Sequence, residues 1–91
     1  MHTIYKFDVK SVPALAVIKH IAWDNKINKI QVWAEVFLPY STNCFKALTV
    51  IGTGWDIPLG YKHIGTVLEP SGYVWHVYEN KPSVLGEAYA A

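Results

Sequence analysis

Apolar and polar residues alternate along most of the chain with a period of two, which is the pattern of half-buried β-strands. The alternation is clearest at residues 30–38, IQVWAEVFL, where apolar residues at even positions are interleaved with Gln31, Trp33 and Glu35. Segments rich in β-branched and aromatic residues extend the prediction to further strands at 3–9, 17–23, 45–51, 61–68 and 73–79. The pattern therefore predicts about six strands.

Turn-forming segments separate these strands, with DNKINK after the second, PYSTN after the third and EPSG before the last. Helix has little support, because Pro13 interrupts residues 10–16 and Gly86 interrupts the end of the chain. We therefore expect an all-β fold with little helix: one small domain over residues 1–80, built as an antiparallel twisted sheet or a barrel-like sheet. Residues 81–91 are expected to form a C-terminal tail that is flexible or docks on a neighbouring subunit.

The last hairpin predicts a polar face. If it turns symmetrically at Pro70 and Ser71, then His63 faces Tyr78, Gly65 faces His76 and Thr66 faces Trp75. The missing side chain of Gly65 then leaves space for a ligand over His76. The opposite face is predicted to belong to the core, with Ile64, Thr66, Leu68, Tyr73, Trp75 and Val77.

The earlier hairpin predicts a second pairing. With a four-residue loop at 25–28, His20 lies opposite Trp33, beside Gln31 and Glu35.

Composition points to a partner. Hydrophobic residues make up 52% of the 91 residues and charged residues 16%, which excludes a disordered charged chain. Four Trp and six Tyr give a small domain more aromatic surface than a single copy readily hides. We therefore expect a homo-oligomer.

Charge and cysteine content narrow the function classes further. All eight basic residues are lysines, so a ligand phosphate must be held by Lys, by backbone N–H groups or by neutral donors; an AT-rich genome explains the same bias. A net charge of +1 argues against a nucleic-acid polymer as partner. The single cysteine, Cys44, forms no internal disulfide, the start lacks a secretion signal, and no run approaches the roughly 18 apolar residues of a membrane span. We expect a cytoplasmic protein with no membrane partner.

The segment VIGTGWDIPLGYKHIGTV, which contains Ile-Gly-Thr twice, is the most distinctive. Ile57 stands where a dinucleotide-binding fingerprint needs glycine, and Gly60-Tyr61-Lys62 does not continue as a P-loop. Two alternatives stay open. The glycines shape turns around a core Trp55, or Gly52, Thr53 and Gly54 offer N–H groups and a hydroxyl to an anion while Trp55 stacks on a base.

Catalytic and metal chemistry find little support in the sequence. His63 and His76 are diagonal neighbours on the predicted sheet, but the spacing indicates no third metal ligand. Cys44 has no local nucleophile signature, and the carboxylates of Asp56 and Glu69 are isolated. We expect no catalytic residue, no metal and no cofactor.

Several motifs in order resemble a family of small proteins encoded by tailed bacteriophages and prophages. The segments TIYKFDV, WAEV, VIGTGWDIP, YKHIGTV and GYVWHVYE are similar to IYKY, LWALV, VIGTGHPIP, YIGT and FVWHVFE in that family, across most of residues 3–79. The chain departs from the pattern at Trp55, where the family often has His, in a longer DNKIN turn and in the residues after Glu79.

This resemblance implies a non-enzymatic binder that acts in the host cytoplasm. One class of small phage proteins sequesters the nucleotide second messengers of bacterial defence, and we expect this chain to bind such a ligand, cyclic or similar to cyclic ADP-ribose. Its predicted ligand-binding residues are Trp33, Gly52, Thr53, Gly54, Trp55, His76 and Tyr78. The alternative is a protein-protein inhibitor or virion-associated module that docks through exposed aromatic residues.

Overall fold

The computed structural model describes residues 1–80, and within them it contains six β-strands and no helix. The strands are β1 (His2–Asp8), β2 (Val17–Asp24), β3 (Lys29–Phe37), β4 (Leu48–Gly52), β5 (Lys62–Leu68) and β6 (Val74–Glu79). The predicted all-β class and the six strands are confirmed. The predicted tail at 81–91 lies outside the described residues.

The strands form two antiparallel sheets of three strands each. The first has the order β1-β3-β2 and the second β4-β6-β5. Strands β2 and β5 are edges of their own sheets and lie side by side. The two sheets therefore meet along these edges without sharing a hydrogen-bonded ladder.

β4 begins later than the predicted 45–51. Phe45 forms an isolated bridge with Pro13, and the Lys46 N–H donates to the Val12 carbonyl at 2.8 Å. The segment before Leu48 is thus held by the connection between β1 and β2, and the ladder with β6 starts only at Leu48.

One core joins the two sheets. The even positions of β3, Val32, Ala34 and Val36, are buried as the alternation predicts, and they pack in one cluster with Leu48 of β4 and Val77 of β6. Since the cluster draws on both sheets, the packing of each sheet depends on the other.

The first hairpin has the predicted register, with His20 opposite Trp33. The last hairpin does not. The Glu69 N–H donates to the Tyr73 carbonyl and the Gly72 N–H to the Glu69 carbonyl, both at 2.9 Å, so the loop has three residues, with Gly72 at a φ of 103°. The extra loop residue shifts the pairing by one, and Thr66 faces His76.

This shift corrects the predicted faces. Gly65 lies on the core face opposite Val77, and a Cβ added there would lie 3.3 Å from Cδ1 of Ile21, so it leaves no space over His76. Thr66 and Leu68, predicted for the core, are exposed, as is Tyr73. His63 nevertheless faces Tyr78 as predicted, because an irregularity between His63 and Gly65 leaves Ile64 without a partner on β6 and moves the register back.

Candidate functional site

A cleft of about 720 Å³ lies between the edge strands β2 and β5. Both strands are irregular where they border it, since Lys19 on β2 and Ile64 on β5 have no partner in their ladders. Bulges of this kind bend a strand and turn its side chains, and they are common beside binding sites. We call this site the lysine cleft; its lining consists of Ala16, Val17, Ile18, Lys19, His20, Ile21, Lys46, Lys62, His63, Ile64, Gly65, Thr66 and Glu79.

Three ammonium groups give the lysine cleft a positive character. Lys62 stands opposite Glu79 in the ladder and is exposed. The Lys46 ammonium donates to the Ala14 carbonyl at 3.0 Å, and Lys19 lies 3.4 Å from a Glu35 oxygen. Glu79 is the one carboxylate of the lining, and Glu35 neutralises Lys19 from outside it, so the three lysines exceed these two carboxylates by one positive charge. The site favours an anion.

A chain of hydrogen bonds runs from the lysine cleft across the exposed face of the second sheet. His63 Nε2 lies 3.1 Å from Thr66 Oγ1, which lies 3.1 Å from His76 Nδ1. His76 Nε2 lies 3.0 Å from Thr53 Oγ1, and that hydroxyl donates to the Val74 carbonyl at 3.1 Å. The chain couples a residue of the cleft to the backbone at the start of β6.

The hydrogen bond from Thr53 to the Val74 carbonyl determines which atom donates in each of the other hydrogen bonds. The single proton of the Thr53 hydroxyl goes to Val74, so Thr53 must accept from Nε2–H of His76. Neutral His76 then has a bare Nδ1, which accepts from Thr66, and Thr66 in turn accepts from Nε2–H of His63. Nδ1 of neutral His63, a residue of the cleft lining, is thereby left as an acceptor that this chain of hydrogen bonds does not use.

Aromatic rings border this polar chain at two places. The rings of His63 and Tyr78 meet edge-on at 5.2 Å between centroids. Across the cleft, His20 of its lining lies 5.4 Å from the ring of Trp33 on the first sheet. None of the predicted residues Thr53, His76, Tyr78 and Trp33 lines the cleft itself. Thr53 and His76 belong to the hydrogen-bond chain, while Tyr78 and Trp33 contact the lining residues His63 and His20.

The other three predicted residues lie elsewhere. Gly54 has a φ of 91° in a turn that the Trp55 N–H closes on the Gly52 carbonyl at 3.1 Å, so that turn requires its glycine. The Trp55 ring covers Gly52, whose added Cβ would lie 2.8 Å from Cε2 of the indole, and it meets Trp75 edge-on at 6.0 Å. Gly52 pairs with Trp75 and Ile51 with His76, so Trp55 and His76 lie on opposite faces of the sheet.

The structure contradicts one of the two alternatives for Trp55, its place in the core, while stacking on a base stays a prediction. Trp55 is 61% exposed and so is not a core residue. It lies on the opposite face of the sheet from His76, so the two residues do not belong to one site.

Sequence reasoning misses the lysines and Thr66. Lys19, Lys46 and Lys62 come from three distant segments, and no spacing in the sequence relates them. A symmetric turn at Pro70 and Ser71 assigns Thr66 to the core. A three-residue loop that ends at Gly72 would instead have predicted Thr66 opposite His76.

Two carboxylates outside the lysine cleft have altered acidity. Hydrogen bonds from Ser71 and then from the Trp75 indole hold the pKa of Glu69 below its ordinary value. The Lys26 backbone N–H and the Lys6 ammonium lower the pKa of Asp24 in the same way. Both groups anchor strand ends and loops.

Two kinds of feature are absent from the described part of the chain. Residues 1–80 contain no group of three or more His, Cys, Asp or Glu side chains placed to hold a metal ion. No helix suited to crossing a membrane is found among the same residues.

Comparison with known proteins gives a family. No curated protein and no solved structure matches the chain. Residues 1–86 match a domain of unknown function, DUF7352, which covers all six strands, the lysine cleft and the hydrogen-bond chain. The protein belongs to the DUF7352 family.

Proposed function

We propose that the protein binds a small anionic, nucleotide-derived ligand in the lysine cleft and holds it without changing it chemically. The observation that carries this proposal is the concentration of Lys19, Lys46 and Lys62 around a cleft of about 720 Å³. That volume lies within the range of roughly 300–1,000 Å³ that small-molecule sites have.

The lining suits both parts of such a ligand. Ammonium groups bind phosphate as point charges, which fits a chain without arginine. Nδ1 of His63 can accept from an amino, imide or hydroxyl group, and the His20 ring at the other wall, which packs against Trp33, offers aromatic surface to a base. Phosphate, sugar and base each have a matching group.

A role in counter-defence is part of the proposal. The resemblance to tailed-phage proteins supplies the context, in which a binder abundant in the host cytoplasm lowers the free concentration of an immune signal. Such a binder needs affinity and no turnover, so His63 and His76 act as hydrogen-bonding groups. Gly52, Gly54 and Trp55 are not required for this site.

Calorimetry with a ligand panel tests the proposal. The panel contains cyclic dinucleotides, cyclic ADP-ribose isomers and AMP, with adenosine and inorganic phosphate as partial ligands. We expect at least one nucleotide to bind with measurable heat and adenosine to bind far more weakly. No heat and no thermal shift with any member contradict the proposal.

Variants locate the site. Lys62→Ala removes a charged contact to phosphate and should weaken binding by about tenfold or more. Lys26→Ala is the matched control, because Lys26 lies in the 25–28 loop and does not line the cleft. Equal affinities of the two variants would place the ligand elsewhere.

Recovery of the ligand separates binding from catalysis. After incubation and denaturation, chromatography should return the nucleotide intact. Recovery of a hydrolysed product would show that the protein is an enzyme, although the ligand would still bind in the lysine cleft.

A further inference from the structure

An aromatic row lies at the end of the second sheet, away from the lysine cleft. It consists of Trp55, Trp75 and Tyr73, whose successive ring centroids are each 6.0 Å apart. Trp55 is 61% and Tyr73 65% exposed. We propose that this aromatic row is the contact surface between two copies of the chain.

Apolar surface continues on both sides of the row. The loop after Trp55 carries Leu59, which is 98% exposed, and Ile57, which is 48% exposed. On the other side Trp75 forms one wall of a cleft of about 530 Å³ that Trp23, Ile30 and Val50 also line. Taking about 150–250 Å² for a fully exposed large side chain, the row and its loop expose on the order of 600 Å². A standard interface needs about 800 Å² from each partner, so the row supplies most of it.

The hydrophobic core of one copy is small, and none of its fully buried side chains is larger than valine. The largest fully buried side chains of residues 1–80 are the valines Val12, Val32, Val67 and Val77, and no aromatic side chain in that part of the chain is buried. Residues 1–80 form a slab of 41 × 36 × 17 Å with a radius of gyration of 14.1 Å, where a globular chain of this length has about 12 Å. A thin core leaves a small domain in need of added burial.

The need for added burial indicates which partner covers the aromatic row. A fold that gains stability from cover profits most from a partner that is present whenever the chain is made, and that partner is a second copy. Around a twofold axis the row packs against itself, which suits aromatic rings that prefer edge-to-face contacts. The Glu69 carboxylate at its border already accepts hydrogen bonds from Trp75 and Ser71, so it keeps partners when the row is covered.

The row and the lysine cleft share no residue. Dimerisation through the row therefore leaves the cleft open, and the two proposals fail or succeed separately.

Light scattering coupled to size exclusion tests the row at concentrations of about 5 to 100 µM, a range set by ordinary interface affinities. We expect a dimer for the unaltered chain and a midpoint of thermal unfolding that rises with concentration. Trp55→Lys should give a monomer. Leu59→Lys should weaken or abolish the dimer as well, and because Leu59 is almost fully exposed this change leaves the fold of one copy intact.

Ile27→Lys is the matched control, since Ile27 is an exposed apolar loop residue outside the row. It should leave the dimer unchanged. The proposal is overturned if the unaltered chain is a monomer. This holds even if the monomer binds a different protein through the row. A dimer that survives both Trp55→Lys and Leu59→Lys overturns it equally.

Discussion

At the scale of single residues, the most informative feature is a hydrogen-bond chain with a direction. It starts at His63, passes through Thr66, His76 and Thr53, and ends on the Val74 carbonyl. Each hydroxyl has one proton to give, so the fixed end determines which ring nitrogen of each histidine carries hydrogen.

The direction predicts the tautomers of both histidines. At neutral pH the uncharged forms of His63 and His76 should carry their proton on Nε2, which two-dimensional ¹⁵N correlation spectra of the imidazoles report directly. Thr66→Val removes the central hydroxyl and should mix the tautomers of His63, while His76 keeps its proton on Nε2 because Thr53 still accepts from it. Thr49→Val is the control, because the Thr49 hydroxyl donates to Asn80 and takes no part in this series of hydrogen bonds. If the Nδ1–H tautomer dominates for either histidine of the unaltered protein, the proposed direction of the hydrogen bonds is wrong.

Glu69 predicts how stability depends on acid. Its pKa in the folded protein lies below the ordinary 4.5, because Ser71 and the Trp75 indole donate to the carboxylate. A lowered folded pKa means that the stabilisation is fully present above about pH 4.5 and is lost as the pH falls through the folded value. Glu69→Gln should therefore lose less stability between pH 6 and pH 3 than the unaltered chain, measured by urea midpoints. Equal losses would show that these bonds do not favour the charged form.

At the scale of elements, periodicity predicts the strands, while the pairing depends on details that periodicity does not contain. Five strands lie within about one residue of where the alternation places them, because burial on one face imposes a period of two, while β4 begins at Leu48 instead of residue 45. The register of the last hairpin is off by one, since Gly72 extends the loop to three residues and the unpaired Ile64 then compensates. The His63–Tyr78 pair is predicted correctly only because these two shifts cancel.

The candidate site is less predictable than the strands. His76, Tyr78 and Thr53 are recognisable because they lie on one hairpin and the turn beside it. The lysine cleft is not recognisable, because it forms where β2 and β5 lie side by side, and that neighbourhood results from the shared core of two sheets.

The turn at Gly52 predicts a coupling between two residues. A Cβ at Gly52 would lie 2.8 Å from the Trp55 indole, so Gly52→Ala must displace that ring, at a cost of about 1–3 kcal/mol of unfolding free energy. In the Trp55→Ala background the obstacle is gone and the same change should cost clearly less. Chemical unfolding of the four proteins in this double-mutant cycle measures the difference. Additive costs would mean that the ring does not rest on Gly52.

At the scale of the whole molecule, one buried cluster makes the two sheets interdependent. Residues Val32 and Ala34 of the first sheet share it with Leu48 and Val77 of the second. A loss of packing at any of them should destabilise both sheets, because their side chains share one cluster.

Val77→Ala tests this interdependence. It deletes two buried methyl groups and should lower the free energy of unfolding by about 2 kcal/mol. Amide hydrogen exchange should accelerate in both sheets by the same factor, since both open in one transition. Loss of protection confined to β4, β5 and β6 would show that the second sheet unfolds on its own.

The unpaired residues Lys19 and Ile64 bear on how this family can change over generations. Each interrupts a ladder at the border of the lysine cleft, so deleting either would straighten an edge strand and bring β2 and β5 closer to forming one continuous sheet. Selection for stability alone rewards that deletion, because it adds hydrogen bonds and removes a void. A lineage that no longer needs the ligand should therefore lose the irregularities before it loses the core. A lineage whose ligand changes should keep both and exchange the lysines around them.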